Sequence, residues 1–341
     1  MTRARVLFLN NYPPREALRR VRAEEYPAQH LWGTWELQGD FEWEMAPRTT
    51  AELAARRPWI RRIANYMLPI FGDPLQELYA IRARCDVIYA ADQQSVVGLA
   101  ALKRLGLFRR PIVMVAHNGP RIAWTRWWMK AVDVVIVLSE PVKARLASQL
   151  GDSVQIEILT FGPSLDSPVY GFRHAEAMRE LDFVAAGKSN REYSLLRKVA
   201  REQRLDGVIF TGRETEEYSR GNLTRTQGGA TYTEVLGAMV RARWCVIPLK
   251  DPDRLSGLTE VADALALGTP VIVQGARGFA YALPTVYVDG NSDEALLAEH
   301  IRSDPPAMEQ VLLDARSIEM SGYAKALKLL LESQFTIAAP Q

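Results

Sequence analysis

Residues Arg254–Val273 read RLSGLTEVADALALGTPVIV. Apolar residues at Leu258, Val261, Ala262, Leu265 and Ala266 recur at i, i+3, i+4, i+7 and i+8, the buried face of a helix of about three turns. Gly268 is the expected stop and Pro270 prevents continuation, so an apolar strand must follow. The small residues Ser256-Gly257 precede the helix, whose first turn presents backbone N–H groups and a positive dipole end suited to an anion.

The same loop, helix and strand rhythm runs through the chain. Apolar runs at Arg5–Leu9, Asp86–Ala90, Ile112–Ala116, Val132–Leu138, Val154–Leu159, Phe183–Ala186, Gly207–Phe210, Trp244–Leu249, Pro270–Val273 and Val286–Val288 alternate with helical patterns. Uninterrupted apolar strands are covered on both faces, as in parallel sheets of βαβ units. At 341 residues the chain is long enough for two such doubly wound domains, and Gly162–Pro168 is the turn-rich stretch between them. Ligands of such sheets bind beyond the carboxyl ends of the strands, which places the expected site in a cleft between the domains.

Composition narrows the function. Cys85 and Cys245 are the two cysteines, both in apolar strand-like runs, so buried thiols in a reducing cytoplasm are expected rather than a disulfide framework or metal cluster. No apolar run reaches the length of a membrane span. Met1–Leu150 carries 22 Lys and Arg against 14 Asp and Glu, and seven of the eight tryptophans. Arg and Trp in RRPWIRRIANYMLPIF and RIAWTRWWMK suit an anionic membrane surface or a lipid-linked or anionic acceptor, and equally a solvated arginine face beside core aromatics. Nucleic acid is not an expected partner. The missing G-x-G-x-x-G, G-x-x-x-x-G-K-[ST] and G-x-S-x-G patterns remove a dinucleotide oxidoreductase, a P-loop NTPase and the usual serine hydrolases. Asp251-Pro252-Asp253 reads as a turn rather than a metal-holding D-x-D.

Several polar residues fall just past strand ends. Gly187-Lys188-Ser189-Asn190-Arg191 is read as opening a helix, with Lys188 as a point charge and Arg191 as a forked donor to a diphosphate. His117 ends an apolar strand, Asp92 follows another, and His30 lies near a helix start as an acceptor contact or a packing residue.

Taken in order, AVDVVIVLSEPVKARLASQLG, VQIEILTFGPSLD, FVAAGKSNREYSLL, TEVLGAMVRARWCVIPL and SGLTEVADALALGTPVIV resemble the motif series of the family-four GT-B glycosyltransferases, retaining enzymes of two Rossmann-like domains facing a cleft. The resemblance implies an α/β fold with an acceptor-binding domain at 1–165, a nucleotide-sugar-binding domain at 166–320, and a helix and tail at 321–341 packing back on the first domain. It implies transfer of a sugar from a nucleotide diphosphate sugar to an acceptor hydroxyl, with retention and no metal or other cofactor. Lys188 matches the first phosphate-binding cation and Arg191 falls close to the second. His117 matches the histidine near the transferred sugar, and Asp92 joins it as a base candidate should the enzyme invert. Gly187, Gly212, Arg213, Ser256, Gly257, Leu258, Thr259 and Glu260 form the implied donor-binding set, with Asp263 as the ribose contact. Asn11, His30, Trp32 and Gly33 form the acceptor-binding set. Leu255 stands where the family has a glutamate that reads the sugar, so that contact is lost or moved to Asp253 or Glu260. The alternatives are an epimerase on the same fold and a catalytically silent binding protein. A cytoplasmic protein, peripheral on the inner face of the membrane, is expected.

Overall fold

The computed structural model describes residues 3–47, 49–55, 59, 70–120, 122–174, 179–211, 224–251, 255–275, 283, 285–289 and 293–338. The chain separates into two compact units. Unit 1 comprises Met1–Ala23, His30–Thr160 and Ser321–Gln341; unit 2 comprises Glu24–Gln29 and Phe161–Met320. Glu24–Gln29, expected in the first domain, thus belongs to unit 2: Ser167 Oγ takes the Ala28 N–H at 3.0 Å and Gln29 Oε1 takes the Ser164 N–H at 3.1 Å.

Unit 1 holds a parallel sheet of β1 (Arg5–Leu9), β2 (Glu42–Met45), β3 (Val87–Ala90), β4 (Ile112–Ala116), β5 (Val134–Val137) and β6 (Gln155–Ile158). Their order is β2-β1-β3-β4-β5-β6, every pairing parallel. The central strands β3, β4 and β5 are fully buried, which is why they read as unbroken apolar runs.

Unit 2 repeats the plan with β7 (Leu181–Ala186), β8 (Gly207–Thr211), β9 (Thr224–Gly228), β10 (Ala242–Pro248), β11 (Val271–Gln274) and β12 (Val286–Asp289), in the order β12-β11-β10-β7-β8-β9. All neighbours are parallel. Two strands lie outside the apolar pattern, β2 (EWEM) and β9 (TRTQG). Both are edge strands, which pair on one side only and need no continuous apolar run.

The opening stretch folds as its period requires. Leu258–Ala266 is a helix whose face Leu258, Val261, Ala262, Leu265 and Ala266 is buried. Gly257 at φ +98° begins it and Gly268 at φ +73° follows it, both left-handed conformations that glycine adopts without a Cβ clash. Among the described residues no helix is long and apolar enough to cross a membrane.

Candidate functional site

In unit 2 the chain leaves β7 toward β8 on one side and returns to β10 on the other. The crevice past the ends of β7 and β10 is therefore the point where the winding reverses, the usual place for a ligand in an open α/β sheet. Both loops singled out in the sequence emerge there.

Gly187–Arg191 is a loop and does not open a helix, which starts only at Tyr193. The loop after β10 holds it. Arg191 bridges Leu249, the Glu192 N–H donates to Pro248 O at 2.9 Å, and the Asn190 side chain donates to Asp251 O at 3.1 Å while accepting from Asp251 N at 2.7 Å. With Gly187 at φ +121° and Asn190 at φ +56°, the backbone that these contacts hold is not helical.

Arg191 also departs from its expected role. Its Nε donates to Ala186 O (3.1 Å), Nη1 to Ser189 O (2.9 Å) and Ser256 Oγ (3.0 Å), and Nη2 to Glu260 Oε1 (2.9 Å). With its side chain 4% exposed, this cation is spent on joining the two loops rather than turned to a diphosphate. Glu260 Oε2 accepts from Thr259 Oγ1 at 2.9 Å, so Glu260 is likewise committed. Gly187 and Gly257 make room for the pair. A Cβ on Gly187 would lie 2.6 Å from Arg191 Nη2, and one on Gly257 would lie 2.9 Å from Ile247 Cγ2 and 3.2 Å from Arg191 Nη2. The Tyr193 hydroxyl donates to Gly187 O at 2.8 Å, and burial pushes its ionisation up, so it stays a donor.

Lys188 is exposed in this loop and makes no hydrogen bond or ion pair among the described residues. The helix at Leu258 has no side-chain cap, so N–H groups of its first turn stay available for an anion.

Asp263 is not open to a ribose. It is 3% exposed; Oδ1 accepts from Gln29 Nε2 at 2.8 Å and Tyr170 OH at 2.6 Å, and Oδ2 from Tyr232 OH at 2.6 Å. Burial pushes its carboxyl up to about 7, against the lowering effect of those three donors. The apolar face of the helix is wide enough to carry Asp263 inward, and sequence gave no sign of donors from positions 29, 170 and 232. Leu255 is buried in the same unit at 4% exposure. Gly212, Arg213 and Asp253 lie outside the described residues.

In unit 1 the winding reverses between β1 and β3. Asn11 and Asp92 follow those strands and meet there, Asn11 Nδ2 donating to Asp92 Oδ2 at 3.2 Å. Asp92 Oδ1 accepts the Gln94 N–H at 2.8 Å, capping the turn Gln93–Val96. The carboxylate expected as a base candidate thus serves as a cap in this structure. His117 follows β4, half-buried, with Nε2 3.1 Å from Ala91 O. A carbonyl oxygen only accepts, so in the neutral ring Nε2 bears the hydrogen and Nδ1 keeps its lone pair. Trp32 stands edge-on to the His117 ring, centroids 5.5 Å apart. Gly33 follows Trp32 at φ +83°, and His30 sits half-buried in the turn Ala28–Leu31. Structure therefore joins Trp32 to His117 and Asn11 to Asp92.

No family model and no curated protein matches the chain. Solved structures do. The α,α-trehalose-phosphate synthase (UDP-forming) from Burkholderia vietnamiensis is 12% identical with a TM-score of 0.67, over 100% of this chain and 99% of that one. Sucrose-phosphate synthase from Thermosynechococcus elongatus is 15% identical with a TM-score of 0.69, over 98% and 100%. The lipopolysaccharide outer core galactosyltransferase WaaB, apo form, is 11% identical with a TM-score of 0.57, over 97% and 99%. This chain has the GT-B fold. At such identities the likeness extends to the fold alone. Within the GT-B fold, the crevice at Gly187, Lys188 and Gly257 lies in the second Rossmann-like unit, and His117 lies past β4 of the first.

Proposed function

We propose that the chain is a glycosyltransferase that moves a sugar from a nucleotide diphosphate sugar to an acceptor hydroxyl. The observation that carries this reading is the exposed Lys188 on a loop that Arg191 ties to Ser256 and Glu260 at the uncapped start of the helix, at the winding reversal of unit 2. A similar structure is named UDP-forming and another a galactosyltransferase, which supports the donor class.

In this mechanism bond breaking puts charge on the leaving diphosphate. Lys188 and the N–H groups at the start of the helix stabilise that charge, an arrangement fixed before the reaction begins. Arg191 and Glu260 hold the two loops in register and do not touch the phosphates. His117 Nδ1 accepts from a substrate hydroxyl in unit 1. No metal is required in this scheme. Retention, with attack on the face the diphosphate leaves, is the stereochemical reading.

A cytoplasmic enzyme on an anionic membrane surface is the finer proposal. Ile70, Phe71 and Ile122 are exposed at 38%, 51% and 51%. Trp124 Nε1 donates to Ile70 O at 2.7 Å, which places Ile70 next to Trp124, whose ring stacks on that of Trp127. Arg126 is exposed on the same helix. Apolar and aromatic groups next to a cation match a lipid headgroup boundary.

The test is calorimetry with UDP, GDP and TDP, then a donor screen with magnetic resonance of the product. Transfer to an acceptor, with the anomeric configuration kept, is expected. A product formed from donor alone would point to an epimerase, and no nucleotide binding to a silent protein.

A further inference from the structure

We propose that Trp32 positions the His117 imidazole, and that the hydroxyl pair of Tyr89 and Tyr323 holds Trp32 in the conformation that does so. Trp32 adopts φ +53° while only 7% exposed. A bulky side chain enters this left-handed region only at a cost, and such strain persists where the surroundings over-determine it.

The surroundings of Trp32 do so through a directed chain of hydrogen bonds. Tyr89 OH lies 3.0 Å from Trp32 O, which only accepts, so Tyr89 donates its single hydroxyl proton there. The contact of 2.8 Å between the two hydroxyls is then donated by Tyr323. Tyr89 and Tyr323 are buried, at 0% and 2% exposure. Tyr323 comes from the last helix, Met320–Ala338. Its ring lies 6.4 Å from that of Trp32, and a Cβ on Gly33 would lie 3.2 Å from its Cδ1. That close approach and the φ of +83° make Gly33 the residue that lets the turn press onto the helix. On its other side Trp32 meets His117 edge to ring at 80°. Ala91 O fixes Nε2 of that ring and Trp32 fixes its tilt, and together they set the direction of Nδ1. The last helix thereby takes part in the unit 1 site through Tyr323. The catalytic consequence rests on the reading of His117 as a substrate-facing residue; the positioning does not.

Nitrogen NMR of the full chain with labelled histidine tests this. The protein has four histidines, and His117→Gln identifies the His117 signals. In the parent the Nε2–H tautomer is expected to dominate. Trp32→Ala should shift those signals most, Tyr89→Phe less, Tyr323→Phe least, and Trp32→Phe should largely restore them. In transfer assays Tyr89→Phe should lower kcat about tenfold while donor KM stays within about twofold. Unchanged His117 signals in Trp32→Ala and Tyr89→Phe would overturn the proposal. Should Trp32→Ala fail to fold, Tyr89→Phe, which keeps the ring volume, decides by itself. Shifted signals in a chain with no transferase activity would keep the positioning and remove the role given to His117.

Discussion

Arg191 Nη2 lies 2.9 Å from Glu260 Oε1, joining the loop after β7 to the first turn of a helix 69 residues further along the sequence. The pair is shielded, the side chains being 4% and 19% exposed. Removing Arg191 leaves a half-buried carboxylate without its cation, with only the Thr259 hydroxyl still donating to it. Arg191→Ala should cost about 3 kcal/mol of unit 2 stability, read by denaturant unfolding. Nucleotide affinity should fall with it, because the loops lose their register.

Lys188 should behave in the opposite way. As an exposed side chain with no hydrogen bond or ion pair among the described residues, it contributes little to stability. Lys188→Ala should leave the melting temperature unchanged and weaken UDP binding roughly tenfold or more, the worth of one charge-assisted hydrogen bond of about 1.5–3 kcal/mol. Calorimetry and thermal melts on the same sample check both halves.

Gly257 cannot accept a side chain without displacement. At φ +98°, with Ile247 Cγ2 2.9 Å from the Cβ position, Gly257→Ala should cost about 1–3 kcal/mol. It should also weaken nucleotide binding. Unaltered unfolding and unaltered UDP affinity in this variant would remove the loop from the site.

Asp263 makes a signed prediction about pH. Its carboxyl is raised from 3.8 to about 7 by burial. The folded state therefore binds the proton more tightly than the unfolded chain does. Its contribution is fully present below about pH 4, falls as pH rises to about 7, and is constant above that, a loss of order 4 kcal/mol at about 1.4 kcal/mol per pH unit. Asp263→Asn cannot ionise, so its stability relative to the parent should rise across that window. Unfolding of both proteins between about pH 4 and about pH 8 measures the difference. Glu77 in unit 1, raised by burial to about 8, adds a slope common to both proteins that cancels in the comparison.

Phe71 tests the membrane proposal. Phe71→Ser removes an exposed apolar ring and should weaken binding to anionic vesicles about tenfold or more, from the roughly 1.5–3 kcal/mol that burial of such a side chain contributes. Co-sedimentation at two salt concentrations reads it. Equal sedimentation of parent and variant would exclude this patch as the contact.

The period of residues 258–266, the glycines at 257 and 268, and the fully apolar β3, β4 and β5 determined by themselves that this is a parallel α/β protein wound twice. These are local signals, since a helix face and a strand buried on both sides are written in consecutive residues. The edge strands β2 and β9 escaped because one-sided pairing permits a polar sequence, although the edge strands β6 and β12 coincide with apolar runs. The placement of Lys188 and Gly257 at one winding reversal followed from strand order.

What only the tertiary structure decided is which charged groups are free. Arg191 and Lys188 look alike in the sequence. One is enclosed by Ala186, Ser189, Ser256 and Glu260, whereas the other is exposed. Asp263 is the ribose contact that the family resemblance implies, and it is closed off by Gln29, Tyr170 and Tyr232. Hydrogen bonds between distant segments leave no periodic trace in the chain, because they depend on side-chain direction and distance in the folded unit rather than on the spacing of residues along it.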